Sequence, residues 1–352
     1  MERKLVTIQR IKDITPIKDA DKIELAHILG WQCVIKKGEF QKNDLCAYCE
    51  IDSFLPIRPE FEFLRNTSYR KSTLLGEGFR IKTEKMRGEI SQGLVLSMAQ
   101  LQKMGIDTAN LKENDDITKQ LGVVKWEVPE MATGQGTAIG ELGPEVPKTD
   151  EIRIQTVTDI IQEFANLEYY ISTKIDGSSH SIAIDKDGKN HVYGHRFEFA
   201  DDGKSSFAEF VKKHKFFDKL HEYMHTKQWQ SVTVQGEWAG EGIQSNRLQL
   251  KTPNWFVFTV IANGQRQNLN TMLELCETIQ ATHVPIEEIG YNLPEKYPDS
   301  DALLQRAEGL YPNGRPKEGI VIRTTEPIFS PTLSDTLSIK AINNKYLLKN
   351  KN

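Results

Sequence analysis

The sequence predicts an α+β chain of two domains, a small all-β barrel followed by a larger mixed domain. Three observations predict it. Short apolar strands separated by turn signals fill the first 98 residues. A stretch dense in proline and glycine follows over residues 127–147 and reads as a linker. From residue 148 to the end, strand and helix patterns alternate. The expected layout is therefore a barrel over 1–126 that carries a helical extension, a linker over 127–147 and a second domain over 148–352. A length of 352 residues has room for this, and 38% hydrophobic with 27% charged residues is the composition of an ordinary globular protein.

In the first domain the strands are read at Leu5–Ile8, Ile23–Leu29, Trp31–Ile35, Asp44–Ile51 and Gly93–Leu96. So many short strands in about 100 residues suggest a closed barrel of the OB type. Residues 56–78 are polar and turn-rich, with Arg65, Arg70 and Lys71, and read as a long loop. Arg80 and Lys82 alternate with apolar residues and Lys85 and Arg87 follow, so the four are candidates for a phosphate-tracking strip. A solvated strand face beside Glu84 and Glu89 is the other reading. Residues 99–125 read as partly helical, ending their first helix at Gly105. Cys46 and Cys49 have CxxC spacing, but no second pair accompanies them. On a strand, residues three apart face opposite ways, so structural thiols are expected rather than a zinc site.

In the second domain Val157, Ile160, Ile161, Phe164 and Ala165 have the spacing of one helix face. Leu167–Ile171 is apolar enough for a buried strand, which places Lys174 near a strand end, just before the Gly177-Ser178-Ser179 turn. Lys174 and Asp176 share strand parity. Asp187-Gly188 predicts a hairpin turn between Ser181–Ile184 and His191–Gly194. Phe207 to His225 predicts a helix.

The stretch Ser172-Thr173-Lys174-Ile175-Asp176-Gly177 is followed, in order, by Gly236-Glu237-Trp238-Ala239-Gly240, Trp255-Phe256-Val257-Phe258, Glu318-Gly319-Ile320-Val321-Ile322-Arg323 and Ser338-Ile339-Lys340. This collinear series resembles the motifs of the covalent nucleotidyltransferases. The Gly-Glu-Trp-Ala-Gly form resembles RNA ligases of the second type, and the whole chain resembles the RNA ligase family with an N-terminal OB domain. The resemblance implies an OB barrel followed by an ATP-grasp-like nucleotidyltransferase domain with antiparallel sheets. It also implies an ATP-dependent RNA ligase that joins 3′-hydroxyl and 5′-phosphate ends, at nicks in duplexes, through a lysyl-AMP and an adenylylated 5′-end. The implied cofactors are ATP and Mg2+ or Mn2+, and the implied partner is a nicked RNA or RNA-containing duplex, bound by a monomer. An ATP-dependent DNA ligase or a capping-type guanylyltransferase of the same superfamily is the alternative. Against it stand the barrel's position ahead of the motifs and the 12 residues that follow Lys340, too few for a C-terminal barrel.

Carried over residue by residue, the resemblance makes Lys174 the nucleophile and Asp176, Glu237 and Glu318 the metal carboxylates. Hard carboxylate oxygens suit Mg2+ or Mn2+. Glu237 is equally placed to hold a ribose hydroxyl. Arg196 matches an arginine that contacts sugar or phosphate, and Arg153 one near the triphosphate. Phe258 matches the aromatic that stacks on adenine, with a plain core ring as the other reading. Thr173 and Ile175 would read the adenine edge through their backbone. Lys340 matches a lysine on the α-phosphate. Ser338 stands where many relatives carry a second lysine, so Arg323 is the candidate substitute. Such phosphoryl transfers need positioning and charge neutralisation more than acid–base power, and no step requires His180 or His195.

The net charge of −4 does not announce a nucleic-acid binder, so phosphate contacts must come from local clusters. No apolar run approaches the roughly 18 residues of a membrane span. Met1-Glu2-Arg3-Lys4 begins no signal peptide, so a cytoplasmic or otherwise intracellular location is expected.

Overall fold

In the computed structural model the described residues are 3–127 and 136–349. By its packing the chain divides into two compact units. The first holds residues 3–127 together with Ile154–Thr158 and the segment from Asn344; the second holds residues 136–153 and Asp159–Asn343.

The first unit is built of short antiparallel strands, as the turn spacing predicts. Leu45–Cys49 is flanked by Val6–Arg10 and Leu94–Ser97, and Ile23–Ile28 by Asp13–Pro16 and Trp31–Lys36. A third sheet runs in the order Val124–Lys125, Ser53–Pro56, Gly76–Arg80, Tyr69–Ser72. Alternation along Leu45–Cys49 feeds two apolar clusters: Ala47 and Cys49 face one with Val6, Ile8 and Phe79, while Cys46 and Tyr48 face the other with Ile28 and Trp31. The two cysteines of the CxxC thus look away from each other, all four cysteines are free and buried, and burial pushes the Cys46 thiol up to about 12.

Two expectations need correction here. Residues 56–78 are not a loop: they fold into the 3-10 helix Pro59–Leu64, the short helix Arg65–Ser68 and the strand Tyr69–Ser72. Phe61 and Leu64 anchor this segment in the core, which its polar average conceals. The basic strip does not form one face either. The strand ends at Arg80, Lys82 lies beyond it, Lys85 belongs to the next strand, Thr83–Met86, and Arg87 sits in the following turn with φ +51°. Arg80 turns inward, donating to Asp52 Oδ1 at 3.3 Å with its guanidinium 5.2 Å from the Trp126 ring. Lys82 pairs with Glu84 at 3.3 Å, which leaves Lys85 and Arg87 as the exposed cations of the four.

The second unit carries two large sheets and the two-stranded pair Phe329–Ser330 with Asp335–Thr336. One runs Ala138–Glu141, Phe197–Phe199, Asn190–Tyr193, Ser178–Ile184, Val232–Ala239, Asn254–Ala262, Gln265–Arg266. The other runs Ile152–Arg153, Ser338–Ile342, Gly319–Thr324, Glu168–Lys174, Ile286–Tyr291. Pairing is antiparallel except where Ile152–Arg153 joins Ser338–Ile342 and Thr282–His283 joins Asn254–Ala262. Ala138–Glu141, read as linker, is an edge strand paired with Phe197–Phe199; residues 128–135 of that stretch lie outside the described residues. The helix expected from Phe207 to His225 is two, Ser206–Lys213 and Phe216–Lys227, broken at Lys215 with φ +53°. The break lets Phe210 and Phe216 meet edge to face, 5.7 Å apart. The helix face expected over 157–165 is the 3-10 helix Thr158–Phe164, with Ile160, Ile161 and Phe164 buried. Among the described residues, no helix is long and apolar enough to cross a membrane.

Candidate active site

Lys174 ends the strand Glu168–Lys174, whose apolar run Tyr169–Ile171 is buried between neighbours on both sides. The register puts Lys174 opposite Gly319, so the preceding Glu318 reaches the amine, with Oε1 2.9 Å from Nζ. Tyr311 donates its hydroxyl to the Lys174 carbonyl at 3.1 Å. The chain then turns at Gly177, where a Cβ would lie 2.5 Å from the Trp238 carbonyl oxygen and 2.9 Å from Glu237 Cγ. Only glycine permits that approach. It starts the strand Ser178–Ile184 in register with Val232–Ala239, Ser179 opposite Glu237.

Lysine and carboxylates share one electrostatic site. Burial works against the Lys174 charge, but Glu318, Glu237 and Glu151 outweigh it and hold the ammonium well above its ordinary range. Burial pushes Glu237 up to about 8; Lys174 opposes that shift, and Glu318, Asp176 and Glu151 add to it. Burial raises Glu318 too, against the pull of Lys174.

A row of cations lies on the same sheet. Lys340 pairs in register with Val321 on one side and Arg153 on the other, two residues along from Gly319 and hence on the Lys174 face. Burial lowers the Lys340 amine; Lys174 and Arg153 push the same way, while Asp150, ion-paired to its Nζ, opposes. Arg323 is buried at the far end of this row. It donates to Phe258 O at 2.6 Å and Ser338 Oγ at 3.0 Å, and is ion-paired with Glu151.

The three predicted metal carboxylates are not equivalent. Asp176 accepts from Ser245 Oγ at 2.8 Å and lies 3.2 Å from Arg247 Nε, so it is held by partners of its own. Among the described residues, no group of three His, Cys, Asp or Glu side chains forms a ready cage for a metal ion. Glu237 and Glu318, which share the field of the Lys174 ammonium, still fit a divalent cation that keeps most of its waters, the usual manner of Mg2+.

Of the remaining site candidates, Thr173 donates its backbone N–H to Pro285 O at 2.9 Å and its hydroxyl to Glu287 at 2.5 Å. Ile175 packs with Ala239, Phe256 and Val284. The strand Asn254–Ala262 bulges opposite Gln235 and Gly236, so Phe256 stands directly across from Glu237, whereas Phe258 falls in the bulge with the Arg323 guanidinium 5.7 Å from its ring. Arg196 lies half-buried in the turn between Asn190–Tyr193 and Phe197–Phe199. His180 is interior, its ring 4.8 Å from that of Phe207. Asp150, Glu151, Ser245, Arg247 and Tyr311 were not found by sequence reasoning. Their signals were adjacency: Asp150 and Glu151 stand beside Arg153, and Ser245 and Arg247 follow the Gly236–Gly240 motif.

Comparison with known proteins matches both parts of the chain. A family model described as an OB-fold domain matches residues 5–98, and one described as RNA ligase matches residues 167–342. The structure of a Naegleria gruberi RNA ligase variant with ATP and Mn superposes with a TM-score of 0.87 at 30% identity, over 99% of both chains. A variant of the same ligase with AMP and Mn gives 0.87 at 29% identity, and the ligase with PPi gives 0.86 at 30%, each over 99% of both chains. Among curated proteins, none matches this sequence.

Proposed function

The chain belongs to the RNA ligase family, and from that membership we propose that it seals 3′-hydroxyl/5′-phosphate breaks in RNA, at nicks in RNA or RNA-containing duplexes, at the expense of ATP. The observation that carries this reading is one lysine at a strand end, 2.9 Å from Glu318, in the field of Glu237, with Lys340 on the same face.

In the first step the Lys174 amine attacks the α-phosphorus of ATP, a phosphorus–nitrogen bond forms, and pyrophosphate leaves. The AMP then passes to the 5′-phosphate of the break, and the 3′-hydroxyl attacks that phosphorus and releases AMP. Lys174 must lose its proton before it can attack, and the carboxylates around it oppose that loss. Glu237 and Glu318 would hold a Mg2+ or Mn2+ ion, which would supply positive charge against those carboxylates and the α-phosphate. Lys340 and Arg153, on the second and third strands from that of Lys174, receive phosphate charge, while Asp176, fixed by Arg247 and Ser245, keeps the turn after Lys174 in place. Phe256, across from Glu237 and packed with Ile175, is the aromatic platform for adenine that the register favours over Phe258.

The test is incubation with labelled ATP and a divalent cation. ATP, and not GTP, labels the protein, Lys174→Ala abolishes the label, and nicks with a 3′-ribose are sealed. Labelling by GTP alone would point to a capping-type enzyme, and sealing confined to nicks with a 3′-deoxyribose to a DNA ligase.

A further inference from the structure

Two neighbouring acids, Asp150 and Glu151, are each ion-paired to a cation of the phosphate row, Lys340 and Arg323. Their surroundings differ. Glu151 is 13% exposed and holds an arginine that is also fixed by Ser338 and the Phe258 carbonyl. That is a permanent support. Asp150 is 39% exposed, and it lies on irregular backbone just ahead of Ile152–Arg153. Its partner Lys340 is only 10% exposed.

We propose that Asp150 is an internal stand-in for a phosphate oxygen: it covers the Lys340 ammonium while no nucleotide is bound and swings into solvent when the phosphates of ATP arrive. This rests on the proposed function, because it takes Lys340 to be a phosphate contact. A buried ammonium without a counter-ion is strongly unfavourable, and Lys174 and Arg153 add like charge beside it. While Lys340 is charged, an anion therefore has to sit on it. A phosphate and the Asp150 carboxylate on the same amine would repel, and the carboxylate with water already beside it is the one that can leave. The charge of Asp150 then opposes nucleotide binding, and removing it favours the nucleotide.

The experiment measures equilibrium binding of ATP, and separately of inorganic pyrophosphate, to the full chain carrying Lys174→Ala so that no covalent step follows. Adding Asp150→Asn is expected to tighten both by about 3- to 10-fold, and Asp150→Glu to leave them near the parent. Unchanged or weaker binding in Asp150→Asn overturns the proposal and makes Asp150 a positioning residue. Asp150→Ser carries the same expectation should the asparagine variant fail to fold. Failure of the function itself reads differently: the protein with Lys174 intact would form no lysyl-AMP, whatever stands at 150.

Discussion

Asp176 has partners of its own beside the Lys174 turn. The motif resemblance makes it a metal carboxylate, and in the structure Arg247 and Ser245 hold it, 3.2 and 2.8 Å away. A hydrogen bond to a charged group contributes about 1.5–3 kcal/mol. Arg247→Ala should therefore slow lysyl-AMP formation roughly 10- to 100-fold if all of that energy serves the positioning of the Lys174 turn. Single-turnover labelling measures the loss, and Arg247→Lys should recover part of it. A variant that labels at the parental rate would separate this pair from the chemistry. Lys174, Glu237, Glu318 and Lys340 were legible through the resemblance of their motifs, in order along the chain, to those of a known family. Their partners were not. Lys340 meets Asp150 across 190 residues and Arg323 meets Glu151 across 172, separations that no local pattern records.

At the scale of elements, strands were legible and their irregularities were not. Apolar runs located strands over Asp44–Ile51 and Leu167–Ile171, and the motif resemblance matched Phe258, although Phe256, two residues before it, has the same strand parity. The bulge opposite Gln235 and Gly236 shifts the register and sets Phe256 across from Glu237, while Phe258 packs half-buried against the same cluster. Phe256→Ala should weaken ATP binding by about 1–3 kcal/mol, the size of a lost stacking contact, and Phe258→Ala by less. Equal losses would assign the platform to both rings. The strand Ser178–Ile184 carries a second prediction. His180 donates through Nδ1 to the Ser178 carbonyl at 3.0 Å, and burial lowers it from 6.5 to about 4. Below pH 6.5 the unfolded chain takes up a proton that the folded chain refuses. Its contribution is thus complete above pH 6.5 and is lost as the pH falls toward about 4, at up to about 1.4 kcal/mol per pH unit. The stability gap between the wild type and His180→Asn, followed by chemical denaturation from pH 7 to pH 5, should narrow along that slope.

For the whole molecule, the sequence reading cut the chain at one linker and left everything after it to the second domain. Packing divides it otherwise. The C-terminal helix Asn344–Lys349 belongs to the first unit: Tyr346 is buried, Leu347 packs against the cluster of Ile28, Trp31 and Tyr48, and Gln92 donates to Asn344 Oδ1 at 3.1 Å. A chain-order boundary cannot reveal this, because the helix is six residues long and its apolar pair has meaning only against a core laid down some 300 residues earlier. Ile154–Thr158 belongs to that unit as well, with Thr156 donating to Glu50 Oε1 at 2.8 Å and Gln155 O accepting from Gly30 N–H at 2.9 Å. The barrel therefore depends on three separate stretches of chain, and its stability should respond to changes made far from residues 3–127. Leu347→Ala, at a half-buried site, should cost about 1–2 kcal/mol, below the 2–5 kcal/mol of a fully buried leucine. Removal of residues 344–352 should cost more, since it also exposes the faces that Tyr346 and Leu347 cover. Trp31 lies in the affected cluster and Trp255 in the core of the other unit, so each unit carries its own reporter. With every tryptophan except Trp31, or every one except Trp255, replaced by Phe, the truncation should lower the unfolding midpoint seen through Trp31 more than the one seen through Trp255. Equal shifts would mean that the helix supports the whole chain rather than the barrel.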